Sequence, residues 1–487
     1  MELVLQPIIE DPGKAGHTKS ASSTRWALAS LSLSMLMPSL GTSIANIALP
    51  TLAQAFDASF QQVQWIVLAY LLAITTLIVS VGKLGDIFGR RRLLLIGISL
   101  FTLASLFCGV APTLWLLLAA RGLQGLGAAM MMALTVAMVG ETVPKERTGG
   151  AMGLLGTMSA IGTTLGPSLG GIVIASFGWE TIFLINVPLG IANFLLAARF
   201  LPRDRRDRKA SKGRLDTIGT LLLSLTLAAY ALAMTLGHGS FGALNIGLLL
   251  AAAFGIVLFA VTETKVEAPL FRLSMFRDAS LGAGLAMSTL VSTVIMATLV
   301  VGPFYLSRSL GFDAAHVGAI MSSGPLVSAL TGVPAGRIAD RFGAQRVTMT
   351  GLVGMIAGLF LIVMLQGRFG AAGYIGPLVV VTANYALFQA SNNTTIMKDI
   401  KAEQRGVISG MLSLSRNLGL ITGTAVMGAI FTLGSGTSDI ITARPEAIAT
   451  GMQITFAVGA LLIVATLAIA IAGMARSRRD ALAQEVS

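Results

Sequence analysis

Apolar residues run through this chain in long unbroken stretches, with the polar residues gathered between them. Fourteen stretches follow one another over 26–50, 63–82, 93–111, 113–140, 149–176, 181–201, 217–236, 243–262, 281–306, 315–335, 347–366, 373–396, 406–433 and 450–475. A hydrocarbon layer about 30 Å thick takes about 20 helical residues to cross, and each stretch has about that length. Inside lipid every backbone N–H and C=O must be bonded within the protein, so each stretch is read as a helix. The stretches 93–111 and 217–236 contain no Asp, Glu, Lys or Arg. The pattern predicts an all-α integral membrane protein with 14 transmembrane helices. So many helices predict an enclosed space, not a simple anchor.

The polar segments between the stretches are unequal in charge. Of 34 Lys and Arg residues, 29 fall on the side that holds the amino terminus. Only Arg308, Arg368 and Arg444 fall on the other side; Arg121 and Arg416 lie deep inside stretches, and Arg199, at the end of stretch six, is counted with the amino-terminal side. Short cytoplasmic loops collect Lys and Arg, which predicts cytoplasmic termini and an even number of crossings. The asymmetry accounts for the net charge of +12 without a nucleic-acid partner. Its largest cluster, Arg203, Arg205, Arg206, Arg208, Lys209, Lys212 and Arg214, reads as a topology determinant against anionic headgroups. Composition agrees, at 54% hydrophobic and 11% charged residues. The single cysteine, Cys108, permits no internal disulfide. The first residues do not form a cleavable signal, and no catalytic cluster or phosphate loop of the form G-x-x-x-x-G-K-[ST] is present. An enzyme and an ATP-driven pump are therefore not expected, nor is a cofactor or bound metal.

A repeat divides the chain. Gly82-Lys83-Leu84-Gly85-Asp86-Ile87-Phe88-Gly89-Arg90-Arg91-Arg92 follows the second stretch. Gly336-Arg337-Ile338-Ala339-Asp340-Arg341-Phe342-Gly343-Ala344-Gln345-Arg346 follows the tenth. A weaker echo pairs Gly162 and Gly166 in stretch five with Gly419 and Gly423 in stretch thirteen. Both repeats imply two pseudo-symmetric six-helix bundles with two extra central helices. The expected division is an N-tail over 1–25, a first bundle over 26–202, a basic linker with two helices over 203–278, a second bundle over 279–475 and a C-tail over 476–487. Two related bundles around a midplane cavity is the layout of rocking transporters.

On these residues the chain resembles the major facilitator superfamily. The loop after stretch two looks like that family's motif A. Arg121-Gly122-Leu123-Gln124-Gly125-Leu126-Gly127-Ala128 is similar to motif B, and Gly162-x-x-x-Gly166-Pro167-x-x-Gly170-Gly171 to motif C, the antiporter signature. Asn46-Ile47-Ala48-Leu49-Pro50 and the run from Trp179 to Gly190 resemble the 14-spanner drug:proton antiporter branch. The resemblance implies a secondary exporter of small amphipathic or apolar compounds, coupled to protons, in a bacterial inner membrane and working as a monomer. A dedicated exporter of one neutral or anionic metabolite or antibiotic is the alternative; a solute importer or a transport-dead sensor is further off.

Each motif has a physical reading. Gly82, Gly85 and Gly89 allow a tight turn and close helix approach. Asp86 can then face a helix amino terminus or pair with Arg90 or Arg91, as a latch that breaks when the bundles rock. Gly336, Asp340 and Gly343 form its second copy. In motif C, Gly162, Gly166 and Gly170 at four-residue steps, beside Gly171, let helices pack closely in lipid, and Pro167 can kink the helix. Arg121 lies about 13 Å deep at about 1.5 Å per residue, too central to snorkel, with Gln124 on the same face. Such a charge faces a cavity or a partner, and the resemblance gives this arginine, with Gln124 and Gly125, a part in proton transfer.

The chain departs from the branch at one position. The 14-spanner pattern has an Asp nine residues before Pro50, where this chain has Gly41. No Asp or Glu lies well inside any stretch; Asp57 and Glu180 lie at the outer edge, and His316 is a lone edge histidine. Arg416, beside Asn417, adds a second positive charge near the midplane. The cavity is therefore expected to favour neutral or anionic compounds, with Asn46, Asn384, Gln389, Arg416 and Asn417 as candidate lining groups.

Overall fold

The structure, a computed structural model, describes residues 21–143, 148–204, 216–236, 242–266, 279–365, 369–397, 405–437, 440 and 442–486. Among these no strand occurs. The helices are α1 (Ala21–Ala55), α2 (Phe60–Phe88), α3 (Arg90–Gly109), α4 (Leu114–Thr142), α5 (Thr148–Phe177), α6 (Thr181–Leu184), α7 (Asn186–Phe200), α8 (Thr217–Thr235), α9 (Ala243–Lys265), α10 (Ala279–Phe304), α11 (Ala314–Phe342), α12 (Ala344–Leu365), α13 (Gly370–Met397), α14 (Arg405–Thr422), α15 (Gly428–Gly434) and α16 (Pro445–Val486). Among the described residues thirteen spans are long and apolar enough to cross a membrane, and α11 makes fourteen as one bent span. Its 48° bend falls between Gly332 and Pro334, where proline removes a helical hydrogen bond. Span six is two pieces, α6 and α7, and span thirteen runs from α14 through a π-helical turn at Gly423–Met427 into α15.

Helix ends and interiors follow from simple polar accounting. Ser59 and Gln62 form a capping box on α2, at 3.3 and 2.7 Å, and Thr113, Asp216 and Asp313 cap α4, α8 and α11. Such caps satisfy N–H groups that have no partner within the helix. Within the spans, hydroxyls such as Thr102 and Thr142 donate to carbonyls four residues earlier, both at 2.7 Å. That removes a polar burden lipid could not meet. On α9, Leu250 and Phe254 are 65% and 68% exposed; in a bilayer this face meets acyl chains.

The repeat is visible as geometry. The turn at Gly89 (φ 96°, ψ 127°) is matched by Gly343 (φ 88°, ψ 129°), and both N–H groups donate four residues back, to Gly85 and Ala339. Positive φ of this kind is open to glycine. Gly162 and Gly166 on α5 press against α1 at Leu36–Ile44, while Gly419 on α14 and Gly423 at the start of the π-helical turn after it press against the α10 carbonyls of Thr289 and Thr293. The α1–α5 pair of one lobe thus has its counterpart in the α10–α14 pair of the other. The extra helix α8 lies across the seam. Trp65 Nε1 of α2 donates to Thr235 at 3.0 Å, Ser80 of α2 meets Thr220 at 2.7 Å, and Tyr230 donates to Thr422 of α14 at 3.1 Å.

Candidate functional site

Between the lobes lies a chamber of about 630 Å³, within the range of small-molecule sites. Eight helices line it. One lobe supplies Met35 (α1), Ile78 (α2), Met132 and Val136 (α4), and Gly156, Ser159 and Thr163 (α5). The other supplies Thr298 and Leu299 (α10), Met321, Pro325 and Ser328 (α11), Leu378, Thr382, Tyr385 and Gln389 (α13), and Gly410, Ser413 and Arg416 (α14). On α4, α5, α11, α13 and α14 steps of three and four residues put the lining residues on one helical face. Among the described residues lining the chamber, Arg416 is the one with a charged side chain, and none is Asp or Glu.

Arg121 does not line this chamber: of the cavity or partner expected for it the structure supplies partners, which corrects its grouping with the cavity. Its side chain is fully buried inside the first lobe. Nε donates to the Ile66 carbonyl at 2.9 Å, and Nη1 to the Gly41 carbonyl at 3.3 Å and to Gln124 Oε1 at 2.6 Å. Gln124 in turn donates to Ser105 at 2.7 Å. The guanidinium sits 4.2 Å from the Tyr70 ring centroid, and Nη2 has no hydrogen-bond partner. The charge is met by neutral dipoles and an aromatic face, with the backbone of Gly41 supplying one of them. Gly125 packs on the Tyr70 backbone of α2. Gln124 and Gly125 also stand away from the chamber.

One end of the chamber is sealed. This is the face opposite the basic loops, where α2 and α11 begin. A methyl at Gly171 would run into the Ala314 carbonyl of α11, and one at Gly318 into the Pro167 carbonyl of α5. Phe60 stands 4.7 Å from Phe304 and 5.3 Å from Phe431, both edge-on. Gln61 donates to Thr432 at 3.1 Å and Gln64 to the Thr424 carbonyl at 2.7 Å. Motif C therefore divides its work. Gly162, Gly166 and Gly170 meet α1 within the lobe, and Gly171 meets α11 across the seam. Helix α5 continues through Pro167 unbroken.

At the basic face the motif A turn is held by three residues outside the motif, Asp204, Glu141 and Leu134. Asp204 accepts from the backbone N–H groups of Arg91 at 2.9 Å and Arg92 at 3.2 Å, an anion at the start of α3. A side chain on Gly89 would collide with it. Arg90 pairs with Glu141 of α4 at 2.8 Å, and Arg91 Nη2 donates to the Ala198 carbonyl. Leu134 of α4 packs close against Gly85. Gly82 and Gly336 face open space, and Asp340 is exposed in the last turn of α11. The side chain of Asp86 lies outside the described residues, as does the basic segment from Arg205 to Arg214.

A family profile described as Major Facilitator Superfamily matches residues 31–424. The chain belongs to the major facilitator superfamily. It is a multi-pass membrane transporter and not an enzyme. It is similar to multidrug resistance protein Stp of Mycobacterium tuberculosis (strain CDC 1551 / Oshkosh), 31% identical over 401 residues, covering 82% of this chain and 74% of that protein. It is equally similar to riboflavin transporter RibZ of Clostridioides difficile (strain 630), 31% identical over 399 residues and covering 82% and 86%. The fold matches a bacterial homologue of the human lysosomal transporter Spinster, solved inward-facing and unoccupied, with a TM-score of 0.66 at 14% identity, covering 93% of this chain and 97% of that one.

In this major facilitator transporter the other candidate amides sort by position. Gln389 joins Arg416 in the chamber. Asn46, Asn384 and Asn417 do not line it, which corrects their assignment as cavity groups. Asn46 donates to the Thr42 carbonyl at 3.2 Å and Asn384 to that of Val380 at 2.8 Å, both on their own helices. His316 meets Asp313 at 2.9 Å. The His316 N–H groups hold the exposed Asp313 carboxyl below its ordinary range. Two buried acids were missed: Asp216, 5% exposed, and Glu263, 4% exposed. Both point at the spot a Gly219 side chain would fill. An Asp just before an apolar run is a helix-start signal, so Asp216 was open to detection; Glu263 follows its apolar stretch by one residue.

Proposed function

We propose that this transporter is a secondary exporter of small amphipathic compounds, driven by the proton gradient and working by alternating access. The observation that carries the reading is a chamber lined by both lobes and sealed at one face by their mutual contacts. Rocking the lobes apart at Gly171 and Gly318 would expose the same residues to the other side. With the basic face toward the cytoplasm, as the Lys and Arg asymmetry argues, the chamber is closed to the outside and positioned to load from within. In this reading the motif A turns at Gly82–Arg91 and Gly336–Gly343 latch the basic face when it closes. Inverted membrane vesicles with an imposed inside-acid gradient test the whole. Expected is accumulation of a fluorescent amphipathic substrate that collapses when a protonophore is added. Accumulation indifferent to the gradient would remove the proton from the scheme. Asp86→Asn is expected to insert normally and to cut export; normal export would remove the latch.

A dedicated exporter of one neutral or anionic metabolite is the second reading. The similarity to a protein named a riboflavin transporter and a chamber wall without acids among the described residues favour it over a pump for lipophilic cations.

A further inference from the structure

Two arginines sit near the middle of the membrane, and the fold treats them oppositely. Arg121 is withdrawn into the first lobe and spends its donors on carbonyls and Gln124. Arg416 opens into the chamber. It lies 11 residues into α14, whose first residue is Arg405, which at about 1.5 Å per residue is about 16 Å from that end. A side chain cannot snorkel so far. Among the described residues Arg416 makes no hydrogen bond or ion pair. A guanidinium at such a depth is expensive to keep, and its planar fork fits a carboxylate with two parallel bonds. Around it on the same wall stand neutral polar groups, Gln389 and Ser413, while Met35, Met132 and Met321 offer an adaptable apolar surface.

Resting on the transport reading above, we propose that the chamber binds amphipathic anions. Arg416 grips a carboxylate or a similar singly charged oxyanion, and the methionine-lined side holds the apolar body. A cation placed there would meet Arg416 with no acid among the described wall residues to offset it, in surroundings of low dielectric. Substrate selection therefore runs opposite to that of a pump for lipophilic cations.

Three dyes decide it in equilibrium binding to the purified full-length protein, read by fluorescence anisotropy. Fluorescein and rhodamine 6G share a xanthene core and differ in the sign of their charge, and Nile red is neutral. Expected is tighter binding of fluorescein than of rhodamine 6G. In Arg416→Gln, fluorescein is expected to bind about tenfold or more weaker, the scale of a lost charge-assisted hydrogen bond, with Nile red within about twofold of wild type. Arg416→Lys keeps the charge without the fork and is expected to fall between. The proposal is overturned if wild type prefers rhodamine 6G, or if Arg416→Gln weakens fluorescein and Nile red alike, which marks a structural role. If wild type binds Nile red and shows no charge preference, the transport reading stands and the anion site falls. If none of the three binds, the chamber is not a substrate site and both fall.

Discussion

At the scale of single residues, Arg121 shows how a charge can be buried without a counter-charge. Its donors reach the carbonyls of Gly41 on α1 and Ile66 on α2 from α4, so the side chain ties three helices together. Arg121→Met removes those ties and leaves Gln124 Oε1 unbonded in the lobe. A loss of about 2 kcal/mol or more is expected, seen as a lowered thermal midpoint of the detergent-solubilised protein. Arg416→Met, at the chamber wall, is the control expected to leave the midpoint nearly unchanged. Equal effects of the two would remove the distinction drawn between them. Gly41 sharpens the point. A Cβ there would stand 3.4 Å from Phe101 Cζ, an ordinary contact, and Nη2 of Arg121 is unpartnered. Gly41→Asp is therefore expected to hold or raise the midpoint in wild type and to lower it in Arg121→Met, where the new carboxylate has no partner. A midpoint lowered equally in both backgrounds would show that the two positions do not interact. The sequence made Arg121 legible as deep and Gly41 as the absent acid. It could not show which way Arg121 points, because α4 is apolar or small on every side and carries no stripe that distinguishes lobe interior from chamber.

At the scale of elements, the motif C glycines act at two seams that sequence spacing does not separate. Gly166 meets Ser43 and Ile44 of α1 in its own lobe, and Gly171 meets Ala314 and Gly318 of α11 in the other. Gly166→Leu is expected to spoil lobe packing, with a lowered midpoint and poor yield. Gly171→Leu is expected to leave the lobe intact and wedge the seam. Ser159→Cys, placed on the chamber wall, supplies the readout: in the Gly171→Leu background it should react with an impermeant thiol reagent from the sealed side, and in the otherwise native protein it should not. Protection in both would mean that the seam closes elsewhere. The helices themselves were largely legible, since long apolar runs have no other stable form in lipid. The break between α6 and α7 and the π-helical turn at Gly423–Met427 were not, because hydropathy is the same on either side of each. The position of α8 was equally hidden. Its ties to Trp65, Ser80 and Thr422 come from isolated hydroxyls and one indole, ordinary residues whose pairing only the packed bundle reveals.

At the scale of the whole molecule, the repeat foretold two lobes and the basic loops foretold two unlike faces, but which face is shut is a property of packing alone. The seal consists of the Gly171–Gly318 approach, the ring cluster around Phe60 and the hydrogen bonds of Gln61 and Gln64. Net contributions of about 1 kcal/mol per hydrogen bond and about 1 kcal/mol per aromatic pair make it a few kcal/mol strong. That is the scale of a two-state equilibrium whose minor form is still populated, strong enough to set the resting state and weak enough to be broken in each cycle of the alternating access proposed above. The single native cysteine, Cys108, is buried, so a pair of introduced thiols can report on the seal cleanly. Gln61→Cys with Thr432→Cys, joined by a short cleavable bifunctional thiol reagent, holds the two lobes together where Gln61 now bonds Thr432. Export is expected to stop on joining and to return on cleavage, while either single variant treated with the same reagent keeps exporting. If the joined protein exports at the full rate, the lobes do not part at this face, and the chamber must empty by a route that leaves Phe60, Gly171 and Gly318 in place.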